Sequence, residues 1–298
     1  MSSSAPLLSL AATIEMHLGN GYTVEGEVGR GGMSRVYSAR KKGSDERLAI
    51  KVMVNRMNGS MNSEKPELQE RFVLEMRILQ KLNHPHIPAV LEAGEANGML
   101  YFVMPFIEGG SLRSRIRHEG RIPVRDALII TRDTADALGH AHINGVMHRD
   151  VKPDNMLLSP TGGVFLLDFG IARAPSLSPT DMMDKPGYVM GTAEYTSPER
   201  VRGGRPEDAR SDLFSLGCVL WEMLTGKTPF PGGVRPLMKE VGAELTLDLS
   251  LLPPSTPDEV IGILRKSLAA YPSDRYATAR AMTNACSVAL ERLDAAAA

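Results

Sequence analysis

Residues 148–155 read His-Arg-Asp-Val-Lys-Pro-Asp-Asn, and Asp168-Phe169-Gly170 begins thirteen positions after Asn155. Together these supply a carboxylate base, a cation and two hard oxygen donors in a fixed order. Asp150 can accept the proton of a hydroxyl group, and Lys152 can neutralise a phosphoryl group in transit. Asn155 and Asp168 offer oxygen ligands of the type that suits Mg²⁺. In-line phosphoryl transfer to a hydroxyl needs this combination, and an ordinary charged loop needs none of its spacings.

A second group lies earlier in the chain. Gly29-Arg30-Gly31-Gly32-Met33-Ser34-Arg35-Val36 falls between two strand-like stretches. Glycines there let backbone N–H groups approach phosphate oxygens, though a glycine-rich hairpin turn explains the same residues. Ser34 stands where a G-x-G-x-x-G pattern has its third glycine. The loop joins strands rather than opening a helix, which argues against a dinucleotide fold. Lys51 follows in Ala49-Ile50-Lys51, ahead of a helix that carries Glu75. A Lys51–Glu75 ion pair would hold the ammonium over the α- and β-phosphates of a nucleotide. Glu70 is the competing partner, and Glu75 is preferred because Leu79 and Leu82 continue its inward face.

The elements that must position these groups change character along the chain. Residues 1–21 read as a flexible Ser/Ala-rich arm ending in Gly19-Asn20-Gly21. Strands are expected near Tyr22–Val28, Arg35–Ala39, Leu48–Val54, Ala89–Ala93 and Leu100–Met104. Phe72, Met76, Leu79 and Leu82 mark a helix over 67–82, stopped by Asn83-His84-Pro85. After Gly109-Gly110 the pattern turns helical, with a long amphipathic helix over 125–144 and mostly helix and loop beyond it. The composition break near 105–111 divides the chain into a β-rich segment, 22–107, and an α-rich segment, 108–298.

Composition narrows the class. Lys and Arg number 34 against 35 Asp and Glu, so no global field draws the chain to nucleic acid or to an anionic membrane. Apolar runs such as Ala127–Ile130 fall far below the roughly 20 residues that span a bilayer. Cys218 and Cys286 lack metal-ligand spacing and read as reduced thiols, which suggests a cytoplasmic setting or the cytoplasmic part of a longer anchored protein. His84, His86, His118, His140 and His142 show no ligand-like spacing and read as surface or structural residues.

The joint set of glycine loop, Ala-Ile-Lys, Glu75, His-Arg-Asp, Asp-Phe-Gly and Ser197-Pro198-Glu199 resembles the eukaryotic-type (Hanks-type) Ser/Thr protein kinase family, and its bacterial members most. The resemblance covers residues 22 to about 290. It implies an α+β two-lobed fold, with a small lobe of five antiparallel strands and one helix and a mainly helical large lobe. It also implies transfer of the γ-phosphoryl of ATP, with Mg²⁺ or alternatively Mn²⁺, to Ser and Thr hydroxyls of protein substrates.

Residue by residue, the resemblance implies that Asp150, Lys152, Asn155, Lys51 and Glu75 form the catalytic set, and that Asn155 and Asp168 hold the metal. Val28, Gly29, Gly31, Ser34, Val36, Ala49, Lys51, Met104, Pro105, Ile107, Leu157 and Asp168 would bind the nucleotide, with Met104 as gatekeeper and Pro105–Ile107 as hinge. His148 would stack with Phe169, Leu79 and Val90. Glu199 would pair with Arg275, and Asp212 would accept hydrogen bonds from the catalytic-loop backbone. Arg149 would take a phosphate placed on Ser176, Ser178 or Thr180 by self-association and autophosphorylation, and the Thr192 hydroxyl would bridge toward Asp150 and Lys152. Two other readings are a pseudokinase scaffold and a small-molecule phosphotransferase. The first is disfavoured by the complete Lys51, Glu75, Asp150, Asn155 and Asp168 set, the second by the Ser-Pro-Glu segment.

Overall fold

The computed structural model describes residues 14–15, 18, 21–30, 34–53, 76–77, 79–96, 99–169, 190–202, 207–234 and 245–297. It divides the chain into two compact units: Met1–Asn83 with Pro88–Ile107, and His84–Ile87 with Glu108–Ala298. Their contents match the expected α+β class.

The first unit is built on a five-stranded antiparallel sheet: β1 (Tyr22–Arg30), β2 (Ser34–Lys41), β3 (Arg47–Met53), β4 (Glu92–Ala96) and β5 (Met99–Pro105), in the order β1-β2-β3-β5-β4. Alternation along a strand sends neighbouring side chains to opposite faces. On β3, Leu48, Ile50 and Val52 therefore share one face, where they join Tyr22, Tyr37, Ala39 and Val103 in a buried core. Ala49 and Lys51 take the other face.

Ile14 is 2% exposed within that same core, with Leu18 packed against it. The Glu15 carboxylate accepts the Val24 N–H at 2.6 Å. The arm expected to be flexible is therefore docked at these residues, because Ile14 covers an apolar sheet face that water would otherwise wet. Strand β4 starts at Glu92, three residues later than the apolar run at Ala89 suggests. Pro88 has no N–H for a ladder. The charge of Glu92 is tolerated in the strand because the Tyr22 and Tyr101 hydroxyls both donate to its carboxylate, at 2.6 and 2.8 Å.

The second unit contains α1 (Leu112–Glu119), α2 (Val124–Ile143), α3 (Pro198–Arg202), α4 (Arg210–Thr225), α5 (Asp258–Ser267) and α6 (Ala279–Ala297). Ser111 caps α1 by accepting the Ser114 N–H at 3.1 Å. Leu128, Ala135, Leu138 and Ala141 of α2 are fully buried, as are Leu213, Phe214, Leu220 and Met223 of α4. These two helices form the centre of the unit and fix the segments that lead into the candidate site. A feature the sequence did not announce is a small sheet of β6 (Gly110–Ser111), β7 (Met156–Leu158) and β8 (Val164–Leu166). Gly109 is required beside it: its φ is 126°, and a Cβ there would lie 2.0 Å from the Leu158 carbonyl oxygen. Among the described residues no helix is long and apolar enough to cross a membrane.

Candidate active site

The 148–155 segment folds into a tight loop that begins at a buried anchor. Asp212, in the first turn of α4, is 2% exposed. Its Oδ2 accepts the His148 N–H at 2.8 Å and its Oδ1 accepts the Arg149 N–H at 2.7 Å. The third partner is the His142 imidazole, with Nε2 2.8 Å from Oδ2. Burial alone would raise the Asp212 pKa, but the hydrogen bond and charge of His142 reverse the sign and hold the carboxyl below its ordinary range. The expected anchoring role of Asp212 has this geometry, and His142 belongs to it although its spacing showed no partner.

His148 is fully buried. Burial pushes its imidazole below the ordinary histidine range, despite the opposing charge of Asp212. Its Nδ1 accepts the Asp150 N–H at 3.2 Å, so the proton of the neutral ring sits on Nε2, which donates to the Leu167 carbonyl at 2.7 Å. The ring also lies 4.7 Å from that of Phe169, centroid to centroid. One side chain thus ties the start of the loop to the residues just before and just after Asp168.

Inside the loop the expected catalytic side chains meet. Lys152 Nζ donates to Asp150 Oδ2 at 2.8 Å. Asn155 Nδ2 donates to the Asp150 carbonyl at 2.8 Å and to Oδ2 at 3.1 Å. Two donors therefore converge on one carboxylate oxygen of Asp150. The β7–β8 hairpin then returns the chain: Leu157 pairs with Phe165, and the Leu167 N–H donates to the Asn155 carbonyl at 2.8 Å. Asp168 follows at once, exposed and with a φ of 57°. The amide nitrogen of Asn155 is committed to Asp150, so its side-chain oxygen is the atom that could serve as a ligand. An amide oxygen and an exposed carboxylate are donors of the kind Mg²⁺ takes, so the pair fits the implied metal.

In the smaller unit, residues directly opposite in the ladder share a face. Val36 lies opposite Lys51, Lys51 opposite Phe102, and Ala49 opposite Met104, so Val36, Ala49, Lys51 and Met104 share the face turned from the Ile14 core. Lys51 is 8% exposed, with its ammonium 5.7 Å from the centre of the Phe102 ring. Val28 sits at a register shift of β1 and is 52% exposed; such a bulge re-aims a side chain. Gly29 pairs with Val36 and Ser34 opens β2. Pro105 ends β5 opposite Leu48, and the next N–H, that of Phe106, is taken by the Arg47 carbonyl at 3.1 Å. Ile107 closes this unit. Glu75, Gly31, Ser176, Ser178 and Thr180 lie outside the described residues, as does the side chain of Thr192.

The support beyond the loop is ionic and buried. Arg275, with no exposed side-chain surface, forks onto Glu199 at 2.7 and 2.8 Å. Ser211 Oγ also donates to Glu199 at 2.6 Å. Burial opposes ionisation of Glu199, and the hydrogen bonds and charge of Arg275 outweigh it, so the carboxyl lies below its usual range. A second knot was not foreseen. Arg113 on α1 ion-pairs with Glu222 on α4, donates to the Tyr195 hydroxyl at 2.5 Å and reaches Asp154 of the loop at 3.1 Å. His84 and His86 likewise have partners, Asp136 at 3.2 Å and Asp133 at 3.8 Å. Among the described residues no group of three or more His, Cys, Asp or Glu is arranged to hold a metal ion.

Comparison with known proteins gives the same direction. The chain is 39% identical to the serine/threonine-protein kinase PknB of Mycobacterium leprae over 281 residues, covering 91% of this chain and 43% of that protein. It is 40% identical to PknB of Mycolicibacterium smegmatis over 283 residues, again covering 91% of this chain and 43% of the relative. A probable serine/threonine-protein kinase of Corynebacterium efficiens is 37% identical over 270 residues, covering 88% and 40%. The chain therefore spans less than half the length of these relatives. The sequence profile of the protein kinase domain matches residues 22–286, nearly all of the 298, and the chain belongs to the protein kinase domain family.

Proposed function

We propose that this chain is a serine/threonine protein kinase that transfers the γ-phosphoryl of Mg·ATP to Ser and Thr hydroxyls of proteins. The observation that carries the reading is the convergence of Lys152 and Asn155 on the Asp150 carboxylate. Held by these two donors, the Asp150 carboxylate would orient the acceptor hydroxyl and take its proton. Lys152, already within 2.8 Å of Asp150, would sit beside the incoming phosphoryl group and neutralise charge there. Mg²⁺, held by Asn155 and Asp168, would supply neutralisation of the phosphate oxygens when bound.

The shared face of Val36, Ala49 and Met104 supports adenine binding by apolar contact, with exposed Val28 as a further wall; Leu157 takes the same role from the family resemblance alone. Lys51 on the same face would take the α- and β-phosphates and Glu75 would orient it. Gly29, Gly31 and Ser34 would cover the phosphates, and the backbone of Pro105 and Ile107 would bind the adenine edge. The names of the relatives support serine and threonine as acceptors. Phosphorylation of one copy by another at Ser176, Ser178 or Thr180, with Arg149 and Thr192 responding, completes the reading.

Incubation of the purified chain with Mg·ATP, with peptides carrying Ser, Thr or Tyr, tests it. Phosphate is expected on Ser and Thr, and Asp150→Asn should lower the rate roughly 10²-fold or more. Mass spectrometry of the chain should find phosphate within 176–180. Nucleotide binding without any transfer would overturn the reading in favour of a binding scaffold.

A further inference from the structure

Arg149 has a φ of 62°, a left-handed conformation that a non-glycine residue holds only when its surroundings enforce it. Its N–H is fixed by Asp212 at 2.7 Å. Its carbonyl oxygen belongs to the peptide that begins Asp150, and Arg200 Nη1 donates to that oxygen at 2.7 Å. Arg200, on the short helix α3, is itself flanked by Glu207. One carboxylate oxygen of Glu207 lies 3.7 Å from Arg200 Nη1 and the other 3.8 Å from Arg149 Nε.

We propose that Arg200, steadied by Glu207, is a positioning residue for Asp150. It locks the 149–150 peptide in the orientation that the strained φ requires. Asp212 holds one side of Arg149 and Arg200 holds the other, so neither peptide plane can turn toward an ordinary negative φ without breaking a hydrogen bond. Because the Asp150 side chain springs from the second of these planes, its direction toward an acceptor depends on Arg200. The inference rests on the reading of Asp150 as the proton acceptor, and its test includes a measurement that does not require phosphoryl transfer.

The experiment compares wild type with Arg200→Met, Arg200→Lys and Glu207→Gln. Hydrogen–deuterium exchange over 146–152 and phosphorylation kinetics are recorded together. Arg200→Met should speed exchange in that segment roughly 10-fold with the α2 segment unchanged. It should lower kcat roughly 10-fold while the KM for ATP stays within about twofold. Arg200→Lys keeps one donor and should lie between wild type and Arg200→Met in both readouts. Glu207→Gln should shift both less than Arg200→Met and in the same direction. Wild-type exchange in Arg200→Met, or identical behaviour of the Met and Lys variants, overturns the proposal. If Arg200→Met does not fold, wild-type protection in Arg200→Lys overturns it and partial loss supports it. An inactive wild type would defeat the kinase reading alone, since the exchange result still decides whether Arg200 holds the loop.

Discussion

His142 and Asp212 meet Nε2 to Oδ2 at 2.8 Å, and the same carboxylate holds the backbone of His148 and Arg149. The helix that precedes the loop and the helix that follows it much later are thus joined at one buried acid. The start of the loop hangs from that junction, and the Lys152 and Asn155 contacts to Asp150 close the rest.

Removal of that acid should therefore do more than trim one hydrogen bond. Asp212→Ala orphans two loop N–H groups and leaves His142 without its partner. We expect a loss of about 2–6 kcal/mol, about 1–3 kcal/mol for each loop N–H left without its acceptor. Asp212→Asn retains one acceptor oxygen and should lose about 1–3 kcal/mol. Denaturant midpoints measure both, and equal losses in the two variants would contradict this account.

Stability should fall as the solution turns mildly acidic. Burial depresses the pKa of His148 and of His84 in the folded chain, whereas an unfolded histidine titrates near about 6.5. Below that pH the unfolded chain binds more protons than the folded one, so protonation favours unfolding. The histidine contribution is complete above about pH 6.5 and is lost progressively as pH falls toward the folded pKa values. Asp212 and Glu199, also depressed, add a further loss of the same sign once pH drops below about 4.5. Melting temperatures from pH 8 to pH 4 should be level, then decline; a rise between pH 6.5 and 5.5 would refute it.

The Glu199–Arg275 fork is buried and shares Arg275 with the carbonyls of Ala269 at 2.8 Å and Arg210 at 3.2 Å. Glu199→Gln leaves a buried guanidinium without its counter-charge and should destabilise by about 3–5 kcal/mol. Arg275→Met alone should be similar. The double variant should lose clearly less than the sum, because both singles break one interaction. Additive losses in a double-mutant cycle would show that the two residues act independently.

Ile14 should behave as a core residue. Ile14→Ala empties a position that is 2% exposed among Tyr22, Tyr37 and Ile50, with an expected loss of about 2–5 kcal/mol. Ile14→Val should lose about 0.5–1.5 kcal/mol. Unfolding of the two variants by denaturant checks the ordering, and wild-type stability in Ile14→Ala would mean the segment only rests on the sheet.

Much of the fold and candidate site was legible in the chain. Strands β2, β3 and β5 and helix α2 follow from side-chain periodicity, whereas α4 is buried on nearly every side and shows no such pattern. Asp150, Lys152 and Asn155 are close in sequence, so a tight loop suffices to bring them together. Glu199 and Arg275 are 76 positions apart, and only the family resemblance, not any local pattern, suggests pairing them. The apolar pattern from Ala89 does not mark β4, which begins at Glu92, because that charge is acceptable in a strand only once two tyrosines reach it.

What the sequence by itself determined is the chemistry on offer: a base, a cation, oxygen ligands and a strand lysine, each flanked by the pattern of its own element. Tertiary structure alone decided how that chemistry is held. His142 and Asp212 are 70 positions apart, Arg113 and Glu222 are 109, and Arg149 and Arg200 are 51. No periodicity links residues at such separations. Only the packing of α2 against α4, the approach of α1 to α4 and the return of the chain through α3 bring them within hydrogen-bond reach. Those contacts turn a set of reactive side chains into one with fixed directions.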